Sequence, residues 1–141
     1  MKALAAFRSS EVGQSLVEVA MALPLLLVSL LGLVDVGRAF VYQTAVTNAA
    51  REAALYAAKD ASVTLTQVTQ KACNETGFSD WGSACASGVT VTCTGCGTAG
   101  ADVTVDVAYQ FSLTSGYLFK AMLGTDQFVA RGSATFRSLT Q

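Results

Sequence analysis

Residues 13–39 read GQSLVEVAMALPLLLVSLLGLVDVGRA, and the fold turns on them. From Val12 to Val34 the only ionisable residue is Glu18, and Val19 to Val34 is an unbroken run of 16 uncharged, mostly Leu and Val residues. A helix rises 1.5 Å per residue, so about 20 residues cover a hydrocarbon thickness of roughly 30 Å, a length reached here once Leu16 and Val17 are included. The run predicts a membrane-crossing helix. A buried helix of a soluble core is the competing reading, but so small a chain has little else to bury 16 such residues against. Lys2 and Arg8 precede the run with Glu11 as the one opposing charge, whereas Asp35 and Arg38 cancel beyond it. The positive-inside rule then places the amino end in the cytoplasm and everything after Asp35 outside it. A cleaved secretory signal with Gly37-Arg38-Ala39 as its cut site is disfavoured, because the apolar run is longer than a signal core and the helical pattern continues through Ala39.

Outward from this stretch, the pattern stays helical to about Lys59 and becomes Ala-rich. Ala39, Tyr42, Val46, Ala49, Ala50, Ala53 and Ala57 recur at three-or-four spacing and form one face. Small residues on that face admit another backbone closely. The segment from Gln14 to Lys59 predicts a rod of roughly 70 Å. Pro24, the single proline, predicts a kink, and Asp35 with Arg38 an i,i+3 ion pair at the membrane exit.

Composition sets the function classes. The chain has 141 residues, 52% hydrophobic and 13% charged, with net charge −1 and no His. Disorder is excluded, nucleic-acid binding lacks a basic excess, and the commonest general base and metal ligand is missing. The expectation is a protein that is not an enzyme, with no catalytic residues, no metal and no cofactor.

Ser62 to about Thr76 predicts a second helix. Strands are predicted from Val89, Val91 and Cys93 alternating with Thr, from Val103, Val105, Val107, Tyr109 and Phe111 alternating with polar residues, and from Phe128 to Arg137. In the last of these, Phe128, Ala130, Gly132, Ala134 and Phe136 share the face expected to meet the long helix. Gly116 to Leu123 predicts a short helical turn ended by Gly124. The fold class is α+β: a long membrane-spanning helix continues into an amphipathic one packed on a small C-terminal antiparallel sheet. The segments are a leader at 1–13, a membrane span at 14–34, an extracytoplasmic helix at 35–60 and a disulfide-containing outer module at 61–141.

All four cysteines, Cys73, Cys85, Cys93 and Cys96, fall in the outer module, as an oxidising compartment would favour. Four cysteines allow three pairings; Cys73 with Cys85 and Cys93 with Cys96 is the favoured one. A redox pair at Cys93-Thr94-Gly95-Cys96 lacks the following helix start that lowers a thiol pKa. The spacings of 11, 7 and 2 intervening residues do not form the two tight pairs of a zinc ribbon.

Glu18 heads an apolar helix with no cation close in sequence, and it directly follows Gly13-Gln14-Ser15-Leu16-Val17. A carboxylate so placed calls for a partner. A short basic leader ending in Gly, with a carboxylate five residues on and an apolar helix behind it, resembles the type IV pilin class of prepilins. The finer resemblance is to the TadE-like minor pseudopilins of Tad/Flp pili. It is carried by Gly13 to Ala20, by Leu23-Pro24-Leu25-Leu26-Leu27, by Gly32 to Phe40 and by Thr47-Asn48-Ala49-Ala50-Arg51-Glu52-Ala53-Ala54, within about the first 60 residues. Val19 stands where the family often has an aromatic residue. The resemblance implies cleavage between Gly13 and Gln14 by a prepilin peptidase. It also implies that Glu18 sets register by pairing with the amino-terminal charge of a neighbouring subunit. The implied partners are that peptidase, other pilin or pseudopilin subunits, assembly platform proteins with a separate ATPase, and membrane lipid. The implied role is structural, in pilus assembly and adhesion, from the cytoplasmic membrane or within an extracellular pilus. A pseudopilin of another pilus or of a type II secretion system, and a secreted disulfide-rich binding or redox domain released by signal peptidase, are the alternatives.

Overall fold

The computed structural model describes residues 11–75 and 88–139. Helix α1 (Glu11–Lys59) runs without interruption through Pro24. It is followed by α2 (Leu65–Glu75), β1 (Val89–Thr94), β2 (Asp102–Ser112), α3 (Gly116–Leu123) and β3 (Gln127–Arg137). The class is α+β, with every described element close to its expected position. Two boundaries move: α1 begins before Gln14, and α2 begins at Leu65 rather than Ser62. The later start of α2 has a local cause. The Thr64 N–H donates to the Gln67 side-chain oxygen at 2.9 Å while the Gln67 N–H donates to the Thr64 hydroxyl, a reciprocal cap that fixes the first turn. Upstream, Ser62 donates to the Asp60 carboxylate and closes a turn between the helices.

The three strands form one antiparallel sheet in the order β1-β2-β3. Register places Val91 opposite Val107 and Val107 opposite Gly132, while Val105 lies between Cys93 and Ala134. Val103, Val105 and Val107 therefore form the buried ridge of the central strand, and β3 contributes small residues beside it. Alternation carries the other face of the sheet, with Thr90, Thr92, Thr104 and Asp106, toward solvent or half-exposure.

The outer half of α1 packs against β2 and β3 of this sheet and against α2, which itself meets β1. Val46, Ala49, Ala50, Ala53 and Ala57 are buried as the periodicity predicts, and so are Ala54 and Ala58, which the predicted stripe omitted. The pairs 49/50, 53/54 and 57/58 make two adjacent rows because the helix has two packing partners; a single stripe would serve only one. On α2, Val68, Ala72 and Cys73 close the second side.

Gly132 marks the closest approach of helix and sheet. A Cβ there would lie 2.6 Å from the Val46 carbonyl oxygen and 2.7 Å from the Thr47 Cα, so only glycine fits between the two backbones. Beside it, the Gln43 side-chain amide donates to the Arg131 carbonyl at 2.7 Å and accepts from the Arg131 N–H. One side chain of α1 thus satisfies both backbone groups on the outer edge of β3, where an unpaired edge would invite another strand. Farther along, the Leu139 N–H donates to the Ala58 carbonyl. These contacts rise together along both elements, so β3 runs outward beside α1 with Gln127 at the end nearest the apolar segment. Phe128 sits at that end and is exposed, unlike Ala130 and Gly132 on its face.

Candidate functional site: the apolar half of the long helix and its exit

The first half of α1 buries nothing. One 18-residue stretch reaches a mean hydropathy of 2.4 with no part covered by the rest of the molecule, which gives, among the described residues, one helix long and apolar enough to cross a membrane. Ser29, a polar residue inside it, donates its hydroxyl to the Leu25 carbonyl at 2.8 Å, so this side chain needs no water partner. Gly13, Gln14 and Glu18 are all helical and exposed. Glu18 lies four residues, about one turn, beyond Gln14 on the helix. Among the described residues, no Lys or Arg forms an ion pair with it. An acceptor-only carboxylate thus stands open on an apolar rod, one turn from the bond expected to be cut.

Burial begins abruptly at Asp35, which is 4% exposed. Its carboxylate accepts from the Thr114 N–H at 2.7 Å, from the Ser115 N–H at 2.9 Å and from the Ser115 hydroxyl. Ser115 is the residue that opens α3, yet its own side chain makes no cap bond to that helix. Asp35 supplies the negative oxygens instead, from 80 residues earlier in the chain, where the helix dipole favours an anion. Burial alone would push the Asp35 carboxyl up. The bonds from the Ser115 hydroxyl, the Ser115 N–H and the Thr114 N–H outweigh it and lower the pKa to about 2 from the ordinary 3.8.

Arg38 completes the junction. Its guanidinium donates to the Thr114 hydroxyl at 2.7 Å and to the Tyr42 hydroxyl at 3.3 Å, and lies 5.7 Å from the Tyr42 ring centre. The expected i,i+3 pair with Asp35 is present at 3.8 Å, longer than the hydrogen bonds that either residue makes here. The Tyr42 bond, against the cost of burial and with help from Asp35, raises the Arg38 pKa further. Tyr42 in turn meets Tyr109 edge-on at 5.0 Å and Phe111 at 4.7 Å, joining the polar lock to the sheet.

Sequence reasoning missed the role of Asp35 as the cap of α3. The available signal was the pairing of Thr114-Ser115 ahead of a helix with an acid at the end of an apolar run, but nothing local links the two. Of the cysteines, Cys93 and Cys96 are joined in a disulfide with Cα atoms 5.9 Å apart, matching the favoured pairing. Gly95, between them, holds φ +78°, where a side chain would collide with the Asp102 carbonyl. Cys73 is also disulfide-bonded. The expected partner, Cys85, lies outside the described residues, as do the leader residues 1–10.

No curated protein and no solved structure matches the chain. Residues 13–55 match the family model described as TadE-like protein, a stretch that includes Gly13, Gln14, Glu18, Asp35, Arg38 and most of the Ala rows. Through this helix the chain is similar to the TadE-like family.

Proposed function

We propose that the chain is a minor pseudopilin of a Tad/Flp-type pilus, with a structural role in assembly and adhesion and no catalytic activity of its own. A prepilin peptidase cuts between Gly13 and Gln14 at the cytoplasmic face, and α1 then holds the protein as a single-pass anchor with its outer module extracytoplasmic. Assembly platform proteins and a separate ATPase draw it from the lipid into contact with other pilin or pseudopilin subunits. The observation that carries this reading is Glu18: an exposed, helical carboxylate one turn past Gln14, on an uncovered apolar rod inside the matched stretch. An isolated carboxylate near a bilayer core costs about 2.5–3.5 kcal/mol at the centre and less toward the surface. The amine freed at Gln14 of a neighbouring subunit offsets that cost only in one axial register, so the pair specifies stacking more than it adds strength.

The integration of Asp35 and Arg38 into the folded module supports retention of the helix over release by signal peptidase. A cut after Ala39 would remove the cap of α3 and the partner of Thr114. Intact-mass measurement on protein from a host carrying the peptidase is expected to place the mature amino terminus at Gln14; an uncut bond there ends the proposal, and a terminus at Phe40 replaces it with the secreted reading. Glu18→Ala is expected to insert normally and to lose piliation, and normal fibres from that variant would remove the register argument.

A further inference from the structure

The connection between β2 and β3 leaves the end of the sheet nearest the apolar half of α1, where Ser112 pairs with Gln127. It closes on itself through the Leu113 N–H and the Asp126 carbonyl at 3.0 Å, so α3 projects from that end as a short excursion. Its sequence, GYLFKAML, has Lys120 as its one charge, and of its described side chains Phe119 is half-buried while Lys120 and Ala121 are exposed. Asp35 holds Thr114 and Ser115, the two residues that lead into it. Tyr117, in its first turn, is 88% exposed. Val36, Phe40 and Phe128 are exposed apolar side chains at the same end of the module. Exposed apolar side chains gathered at one end of a small module are costly in water.

We propose that α3 is an interfacial seat: it lies in the headgroup and outer acyl region of the bilayer that α1 crosses, on the side of the outer module. The proposal rests on the membrane-crossing reading of α1 and adds the position of the module on the lipid surface. Asp35 follows directly on the apolar run, so its carboxylate marks the level at which α1 leaves the hydrocarbon. Eight residues of helix span about 12 Å, so every residue of α3 stays within about that distance of this level. An amphipathic segment seated at a membrane buries its apolar face about 5–10 Å into the headgroup and acyl boundary. Tyr is the kind of residue that settles there, with its ring in the acyl region and its hydroxyl in the headgroups. Lys120, exposed and 3.8 Å from Asp126, can extend its amine toward lipid phosphate. The seat and the Asp35 cap act together: the cap fixes where α3 starts, and the lipid covers what the protein leaves open.

The test uses the full chain in phosphatidylcholine vesicles whose acyl chains carry bromine either near the glycerol or near the chain end. Tyr117→Trp and Leu27→Trp are each made in a Trp81→Phe background so that the introduced indole is the sole fluorophore of its type. Leu27→Trp is expected to be quenched most by the deep bromines. Tyr117→Trp is expected to be quenched about twofold by the shallow bromines, at every protein-to-lipid ratio, as an interfacial aromatic would be. Quenching of Leu27→Trp with none of Tyr117→Trp overturns the seat and leaves the anchor standing. A change at Tyr117→Trp that appears only as protein is concentrated in the vesicles also overturns it, in favour of a second copy covering α3. Failure of Leu27→Trp to be quenched removes the anchor itself, and the seat with it.

Discussion

The two halves of α1 share one helix and almost nothing else. The half before Asp35 is Leu-rich and leaves its large side chains uncovered, Leu25 and Met21 among the most exposed. The half after it is Ala-rich and buries six alanines completely or nearly so. Large side chains maximise apolar area offered to a fluid solvent such as lipid, which adapts to any shape. Small ones let a rigid sheet and a second helix approach the backbone, and the contact is made by shape. The first half is built to be tolerant of substitution and the second to be intolerant.

Gly132→Val attacks the intolerant half where the backbones meet. A Cβ would already lie 2.6 Å from the Val46 oxygen, so the sheet must move away from α1. We expect a loss of about 3 kcal/mol or failure to fold, read as thermal unfolding of the outer module in detergent. Val105→Ala and Leu26→Ala form the direct comparison. Val105 is fully buried and its truncation should cost about 2 kcal/mol, whereas Leu26 is exposed and its truncation should leave the unfolding temperature of the module within error. Equal effects from the two would show that the halves are not separately stabilised.

Asp35→Asn probes the boundary between them, with an effect no larger than that of Val105→Ala and dependent on pH. The folded state holds the carboxyl at about 2, below its ordinary 3.8, so ionisation favours folding above the unfolded value. That contribution, about 2 kcal/mol at most, is present above pH 4 and is lost as the pH falls toward 2. Acid titration followed by circular dichroism should show wild type more stable than the variant at neutral pH, with the gap narrowing between pH 4 and pH 2. A gap that stays constant across that range would mean that the charge of Asp35 is not what holds α3.

Much of the architecture was legible because it is periodic. Alternation in Val103 to Phe111 and the three-or-four spacing of the Ala rows are local patterns, and each element formed where its pattern lay. Ala54 and Ala58 escaped the reading because a second packing face exists only once α2 has folded back on α1. Gly13, Gln14 and Glu18 were legible as a motif, since their spacing along one helix is all that the motif requires.

The amino-acid sequence by itself determined the apolar rod, the order of helices and strands, and the placement of Glu18 beside Gln14, because each depends on residues within a few turns of one another. Tertiary structure alone decided that Asp35 binds the residues leading into a helix 80 residues away, that Gly132 is the contact point of helix and sheet, and that Tyr117 stands exposed at the end of the module nearest the apolar rod. Those facts depend on which surfaces meet after the chain closes, and no local pattern encodes the partner of a hydrogen bond or which aromatic ring is left exposed.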